Sequence, residues 1–127
     1  MEIVAIGIDA TDIPRIESSI ARHGLRFLHR IFTEGERAYC DRRRRPAVHY
    51  ATRFAAKEAG MKALGTGHSQ GVLWRDLEVV RVSGPPELRF HGAALAHLHR
   101  LGADRSLLTL THSDALAIAQ VLLLSPP

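Results

Sequence analysis

Asp9 and Glu58 are the residues in this chain whose types and setting suit chemistry. Asp9 follows the apolar run Ile3 to Ile8, where a strand would emerge at its carboxyl end. Glu58 stands in Arg53-Phe54-Ala55-Ala56-Lys57-Glu58-Ala59, with Lys62 one turn further on. Residues four apart on a helix are neighbours, so Glu58 and Lys62 share a face, and Arg53 and Lys57 pair in the next row. Such a stretch can hold a divalent cation and a polyphosphate together, and two carboxylates from separate elements suit a hard cation. Each residue has a plainer reading. A lone Asp at a strand end more often caps the next helix, and an i,i+4 Glu–Lys pair on a surface contributes only a few tenths of a kcal/mol. The alanines at 55, 56, 59 and 63 favour the chemical reading, because small residues let other groups approach the helix.

The elements that must position these residues alternate between strand and helix. Glu2 to Ile8 reads as a strand buried on both faces, because it is apolar with little alternation. Asp12 can cap a helix to Ala21 with Pro14 in its first turn and Ile13, Ile16 and Ile20 inward, and Gly24 stops it. Leu25 to Phe32 is a short basic segment. Thr33-Glu34-Gly35-Glu36 has the form of a capping box at the start of a helix that ends in the arginine run. Pro46 opens the longest helix, predicted to reach Leu64, and Gly65 gives its left-handed stop. Beyond the loop from Gly65 to His68, Val72 to Ser83 and Glu87 to His91 read as paired strands around Gly84-Pro85-Pro86. Gly92 to Leu101 reads as a helix with Leu95 and Leu98 inward. Leu107 to Thr111 and Ala115 to Leu124 complete the strands.

Composition narrows the class. A length of 127 residues, 46% of them hydrophobic, suits one domain with one core. The single cysteine, Cys40, excludes an intrachain disulfide. No apolar stretch approaches the roughly 20 residues needed to cross a bilayer, and Met1-Glu2 lacks the basic start of a signal peptide. A cytoplasmic location with no membrane partner is expected. Eight arginines lie between Arg22 and Arg45 against Glu34, Glu36 and Asp41, so most of the net charge of +4 sits in one patch suited to steering an acidic partner. His91, His97 and His99 lack a zinc ligand set.

Three blocks in order resemble the family of holo-(acyl-carrier-protein) synthases. They are Gly7-Ile8-Asp9 with Ile13, Arg15 and Ile16, then Arg53 to Ala59 with Lys62-Ala63-Leu64-Gly65-Thr66-Gly67, then Leu110-Thr111-His112-Ser113. Together they span nearly the whole chain. The resemblance implies an α/β (α+β) fold over residues 1–127, a small antiparallel-rich sheet with a long helix packed on it, assembled as a homotrimer with active sites between subunits. It implies Mg²⁺-dependent transfer of 4'-phosphopantetheine from coenzyme A to a serine of apo acyl carrier protein, with release of adenosine 3',5'-bisphosphate, in fatty acid biosynthesis. Asp9 and Glu58 would hold the metal and Lys62 would neutralise charge on the leaving phosphate. Glu58, directly or through a water on the metal, would be the base, with Asp9 as the second candidate.

By the same resemblance Arg44, Arg45, Arg53 and His112 would meet the coenzyme 3'-phosphate. Thr111, Ser113 and the Gly65-Thr66-Gly67 loop would lie near the nucleotide. Arg15, Arg22, Arg26, Phe27 and Arg30 would receive the carrier. Pro14, Gly60-Met61 and Leu116 depart from the usual family pattern without removing a ligand. Two other classes remain. A nucleic-acid-binding module would use Arg42 to Arg45 on phosphates but leaves Asp9 and Glu58 unexplained, so no nucleic-acid partner is expected. A catalytically silent domain would bind coenzyme A without modifying a carrier.

Overall fold

The computed structural model describes residues 1–127. The chain opens with strand β1 (Ile3–Asp12), followed by helices α1 (Ile13–His23), α2 (Leu25–Ile31), α3 (Glu34–Asp41) and the long α4 (Pro46–Leu64). A 3-10 turn (Trp74–Asp76) leads into β2 (Leu77–Val80) and β3 (Glu87–Phe90), and α5 (Gly92–Arg100), β4 (Arg105–His112) and β5 (Leu116–Leu124) follow. The strands form two antiparallel sheets, one ordered β1-β5-β4 and one made of β2 and β3. This is the α+β class expected from the sequence.

The local signals account for the helix limits. Pro14 sits in the first turn of α1, and Gly24, at φ +54°, donates its N–H to the Ile20 carbonyl. The capping box forms as expected: Thr33 Oγ1 accepts from Glu36 N at 3.2 Å while Glu36 Oε1 accepts from Thr33 N at 2.9 Å. Pro46 opens α4, and Gly65 closes it in the left-handed region at φ +79°.

The packing of α4 against β1 sets the position of the site. A Cβ on Gly7 would overlap the Ala59 carbonyl oxygen, so strand and helix meet backbone to backbone. Ala55, Ala56, Ala59 and Ala63 are buried on this contact, in one core with Leu77, Val121 and Leu123. A second core joins α1, α2 and α3 to the first half of α4 through Ile13, Phe32, Cys40 and Tyr50.

Four expectations change. The first strand runs on to Asp12 and is buried on one face only: Gly7 and Thr11 are buried, while Ile6 and Ile8 are each 58% exposed. The second face of the β1-β5-β4 sheet is open, which an apolar run cannot reveal. Asp12 precedes α1 but its side chain makes no capping hydrogen bond, and the short basic segment that follows α1 forms a helix over Leu25 to Ile31. The strand expected over Val72 to Ser83 shrinks to Leu77–Val80, because Asp76 Oδ2 caps Leu73 N at 3.0 Å and holds the preceding residues in a turn. In α5, Ala94 and Leu98 face inward and Leu95 does not.

Candidate active site

Asp9 on β1 faces the row of α4 that carries Phe54, Glu58 and Lys62, residues four apart on one helical face. The Lys62 ammonium donates to Asp9 Oδ1 at 3.0 Å and to the Ile8 carbonyl at 3.0 Å. Thr11, two residues along the strand and therefore on the same face, donates its hydroxyl to Asp9 Oδ2 at 2.7 Å. Glu58 is half-buried beside them. Its carboxyl is raised above the ordinary value, first by burial and then by the charge of Asp9, against the opposing pull of Lys62, Arg15 and His68. Asp9, Thr11, Arg15, Phe54 and Glu58 line one cavity of about 250 Å³.

The donor set fits a hard divalent cation held largely by its ligands from elsewhere. Two carboxylates converge on the cavity, with no third Asp, Glu, His or Cys to complete a protein cage. Mg²⁺ is bound in this manner, through one or two carboxylates with waters and substrate phosphates in the other positions. The Asp9 charge that adds to the effect of burial on Glu58 is what such a cation would offset.

The neighbouring row of α4 does something else. Lys57 was expected beside Glu58 and Lys62 in a polyphosphate-binding cluster; it is fully buried instead. Its ammonium donates to Glu36 Oε1 at 2.7 Å, to the Trp74 carbonyl at 3.2 Å and to the Leu77 carbonyl. Glu36 Oε2 in turn accepts from Val79 N at 2.9 Å. One carboxylate thereby joins α3, α4 and β2, and burial lowers the Lys57 pKa against the attraction of Glu36.

Arg53 is also nearly buried, with its guanidinium carbon 4.1 Å from the centre of the Tyr39 ring, which Arg43 approaches to 3.9 Å. Its Nε has no partner. His49 lies in the same surroundings, its pKa lowered by burial and then by the charges of Arg53, Arg43, His112 and Arg81. Arg53 and His112 thus both act by charge on His49. Arg44 and Arg45 are exposed at the start of α4, and Thr111 is exposed on β4. Ser113 Oγ accepts from Ala115 N and Leu116 N at 3.3 and 3.1 Å, shaping the β4–β5 turn. Gly65 and Gly67 have positive φ around a buried Thr66 just beyond Lys62.

Of the arginines assigned to a partner, Arg15 faces the carboxylates, while Arg22, Arg26 and Arg30 are exposed along α1 and α2. Arg26, Phe27 and Arg30 edge a second cavity of about 520 Å³, which shares Phe27 and Phe54 with the first. Sequence reasoning missed Thr11, Tyr39, His49 and Trp74. Only Thr11 carried a signal, its period-2 spacing from Asp9.

A family model described as the 4'-phosphopantetheinyl transferase superfamily matches residues 5–119. The chain belongs to this superfamily. Among curated members, the holo-[acyl-carrier-protein] synthase of a Methylorubrum extorquens strain is 55% identical over 98% of this chain and 96% of its own length. That of Solibacter usitatus is 47% identical over 95% and 98%. Among solved transferases, holo-[acyl-carrier-protein] synthase from Neisseria meningitidis superposes with a TM-score of 0.86 at 32% identity, covering 98% of this chain and all of the other. The Bacillus anthracis protein, crystallised in complex with CoA (3',5'-ADP), gives a TM-score of 0.79 at 36% identity over 98% of both chains.

Proposed function

We propose that this transferase moves 4'-phosphopantetheine from coenzyme A to a serine hydroxyl of an apo acyl carrier protein and releases adenosine 3',5'-bisphosphate. The observation that carries the reading is the meeting of Asp9 and Glu58 in a cavity bordered by Arg15 and Lys62, within a chain about half identical to holo-[acyl-carrier-protein] synthases over nearly its full length. The serine oxygen attacks the phosphorus that bears the pantetheine, the pyrophosphate P–O bond breaks, and the serine proton passes to a base. Glu58 is the assigned base, with Asp9 second, because a carboxyl raised by its surroundings accepts a proton more readily. Lys62 and Arg15 neutralise charge on the phosphates, and such positioning and charge neutralisation supply most of what phosphoryl transfer requires of a protein. Asp9 and Glu58 would hold Mg²⁺, which when bound would offset the negative charge of the pyrophosphate. The cluster around Arg53 and His112, with Arg44 and Arg45 at its edge, is the assigned place of the 3'-phosphate; the loop from Gly65 to Gly67, Thr111 and Ser113 border the nucleotide in this reading.

One transferase domain over residues 1–127, acting in cytoplasmic fatty acid biosynthesis, fits this reading; no helix is long and apolar enough to cross a membrane. Mass spectrometry of an apo carrier incubated with the chain, coenzyme A and Mg²⁺ tests the activity. A pantetheinyl mass gain is expected; an unchanged carrier would sink the reading.

The exposed basic side chains beside the cavity are assigned to the acidic carrier. Replacing Arg26 and Arg30 with glutamate should raise KM for the carrier about tenfold or more and flatten its salt dependence, while affinity for coenzyme A stays nearly constant. Equal loss of coenzyme A binding would reassign the patch.

The open sheet face supports a homotrimer with its active sites at subunit interfaces. Ile6, Ile8, Leu107 and Leu116 on this face are 58, 58, 56 and 42% exposed, and a chain this short gains from covering a shared apolar surface. Light scattering should give three times the monomer mass. A fully active monomer at micromolar concentration would count decisively against the trimer.

A further inference from the structure

Asp9 is held at both of its oxygens, and its two partners differ in kind. Lys62 reaches Oδ1 at the end of a flexible side chain that is 54% exposed. Thr11 reaches Oδ2 from the same face of the same strand and is 6% exposed. The backbone under Asp9 and Thr11 is fixed by β5, where their register partners are the fully buried Ala119 and Ala117. Just past the strand, Ile13 N donates to the Ala115 carbonyl at 2.8 Å and ties down its end. A β-branched side chain on such a backbone has little freedom about χ1, so the Thr11 hydroxyl has a fixed place. A carboxylate has no such restraint. Its terminal torsion is broad, and hydrogen bonds rather than rotamer preference decide where each oxygen points.

We propose that Thr11 is a positioning residue, whose hydroxyl fixes the plane of the Asp9 carboxylate and leaves Oδ1 for the cation that Asp9 and Glu58 share. This rests on the two-carboxylate reading above and adds which partner holds Asp9 once coenzyme A is bound. In that reading Lys62 turns to the phosphates, and its bond to Asp9 is given up. Thr11 has no second duty, because a hydroxyl donates one proton and this one goes to Oδ2. A fixed partner matters most for Mg²⁺, which demands near-ideal octahedral placement of its ligands, whereas Ca²⁺ accepts a flexible arrangement. Groups that orient a metal ligand commonly change metal affinity by about 10- to 100-fold. A carboxylate left free to turn is therefore a larger handicap for Mg²⁺ than for Ca²⁺.

Calorimetric binding of coenzyme A to the full chain, repeated over a series of Mg²⁺ and then of Ca²⁺ concentrations, reads metal affinity without any transfer. Thr11→Val exchanges the hydroxyl for a methyl and keeps the branched shape of the side chain. It should raise the Mg²⁺ concentration at half-effect about tenfold and that of Ca²⁺ distinctly less. Thr11→Ser should stay near the wild type. Thr11→Ala and Thr11→Ser both lack the methyl and differ only in the hydroxyl, so this pair decides the matter if Thr11→Val does not fold. An unchanged Mg²⁺ dependence in folded variants without the hydroxyl, a serine variant as weak as the alanine one, or an equal loss for Mg²⁺ and Ca²⁺ would overturn the assignment. A wild-type chain whose coenzyme A binding ignores divalent ions would instead defeat the two-carboxylate reading, and the proposal with it.

Discussion

Alanine at Asp9 or at Glu58 should lower transfer by about a thousandfold or more while the chain stays folded, an effect of the size expected when a positioned acid or base is lost. Neither residue supports the core: Asp9 is bonded to Lys62 and Thr11 at the cavity wall, and Glu58 is half-buried beside it. Asp9→Asn should lose metal affinity more than shape, since the amide can still meet the Thr11 hydroxyl. Lys62→Ala should weaken transfer yet keep metal binding, because it frees Asp9 from its only ammonium partner. A titration of stability gives an independent reading. The raised carboxyl of Glu58 means that the folded chain holds its proton to higher pH than the unfolded chain, whose value is near 4.5. In chelator-treated buffer its contribution to stability should therefore fall as pH rises from about that value through the raised one. Added Mg²⁺ should reduce that fall, and Glu58→Gln should remove it. Wild-type turnover by either alanine variant without divalent ions would show that the two-carboxylate magnesium reading is wrong.

Lys57→Met should destabilise the fold by about 3–5 kcal/mol, because it leaves the Glu36 carboxylate buried without its cation. Glu36 is 1% exposed and Lys57 fully buried, so water cannot replace the lost partner. Thermal melting should fall by roughly 10 °C or more. Adding Glu36→Gln should recover part of the loss by removing the unpaired charge, although the hydrogen bonds to Thr33 N and Val79 N then rest on a neutral oxygen. A single variant melting within about 2 °C of the parent would show that the pair is not structural.

Much of the scaffold was legible because its punctuation is local. Pro14, Gly24, the Thr33–Glu36 box, Pro46 and Gly65 act on the backbone within a turn of themselves, and all fall where the helices begin or end. Asp9 and Glu58 were legible as candidate residues, and the fold brings them to one cavity. The different fates of Lys57 and Lys62 were not legible. Helical spacing puts Lys57 one row away from Glu58 and Lys62 but does not say that this row is buried; what draws its ammonium inward is Glu36, which lies 21 residues before Lys57 and meets it only through tertiary packing. The stacking of His68 on the Trp74 ring was hidden for a similar reason, since it depends on a loop whose positive φ angles bring His68 back across the ring. The exposed side of β1 was hidden because an apolar run carries no mark of what will cover it.

Strand β1 sends Gly7, Asp9 and Thr11 toward α4 and Ile6, Ile8 and Ala10 to the open face, in fixed register with β5 from Ala5 to Asp12. A slip of one residue would exchange the two sets. It would aim Asp9 away from Glu58, push Ile8 against the Ala59 carbonyl where only glycine fits, and place a carboxylate on the apolar surface. Insertions or deletions between Ala5 and Asp12 should therefore be far less tolerated than substitutions in the same stretch. Changes in length before Ala5 meet an existing irregularity, the register shift between Ile3 and Ala5, which can absorb them.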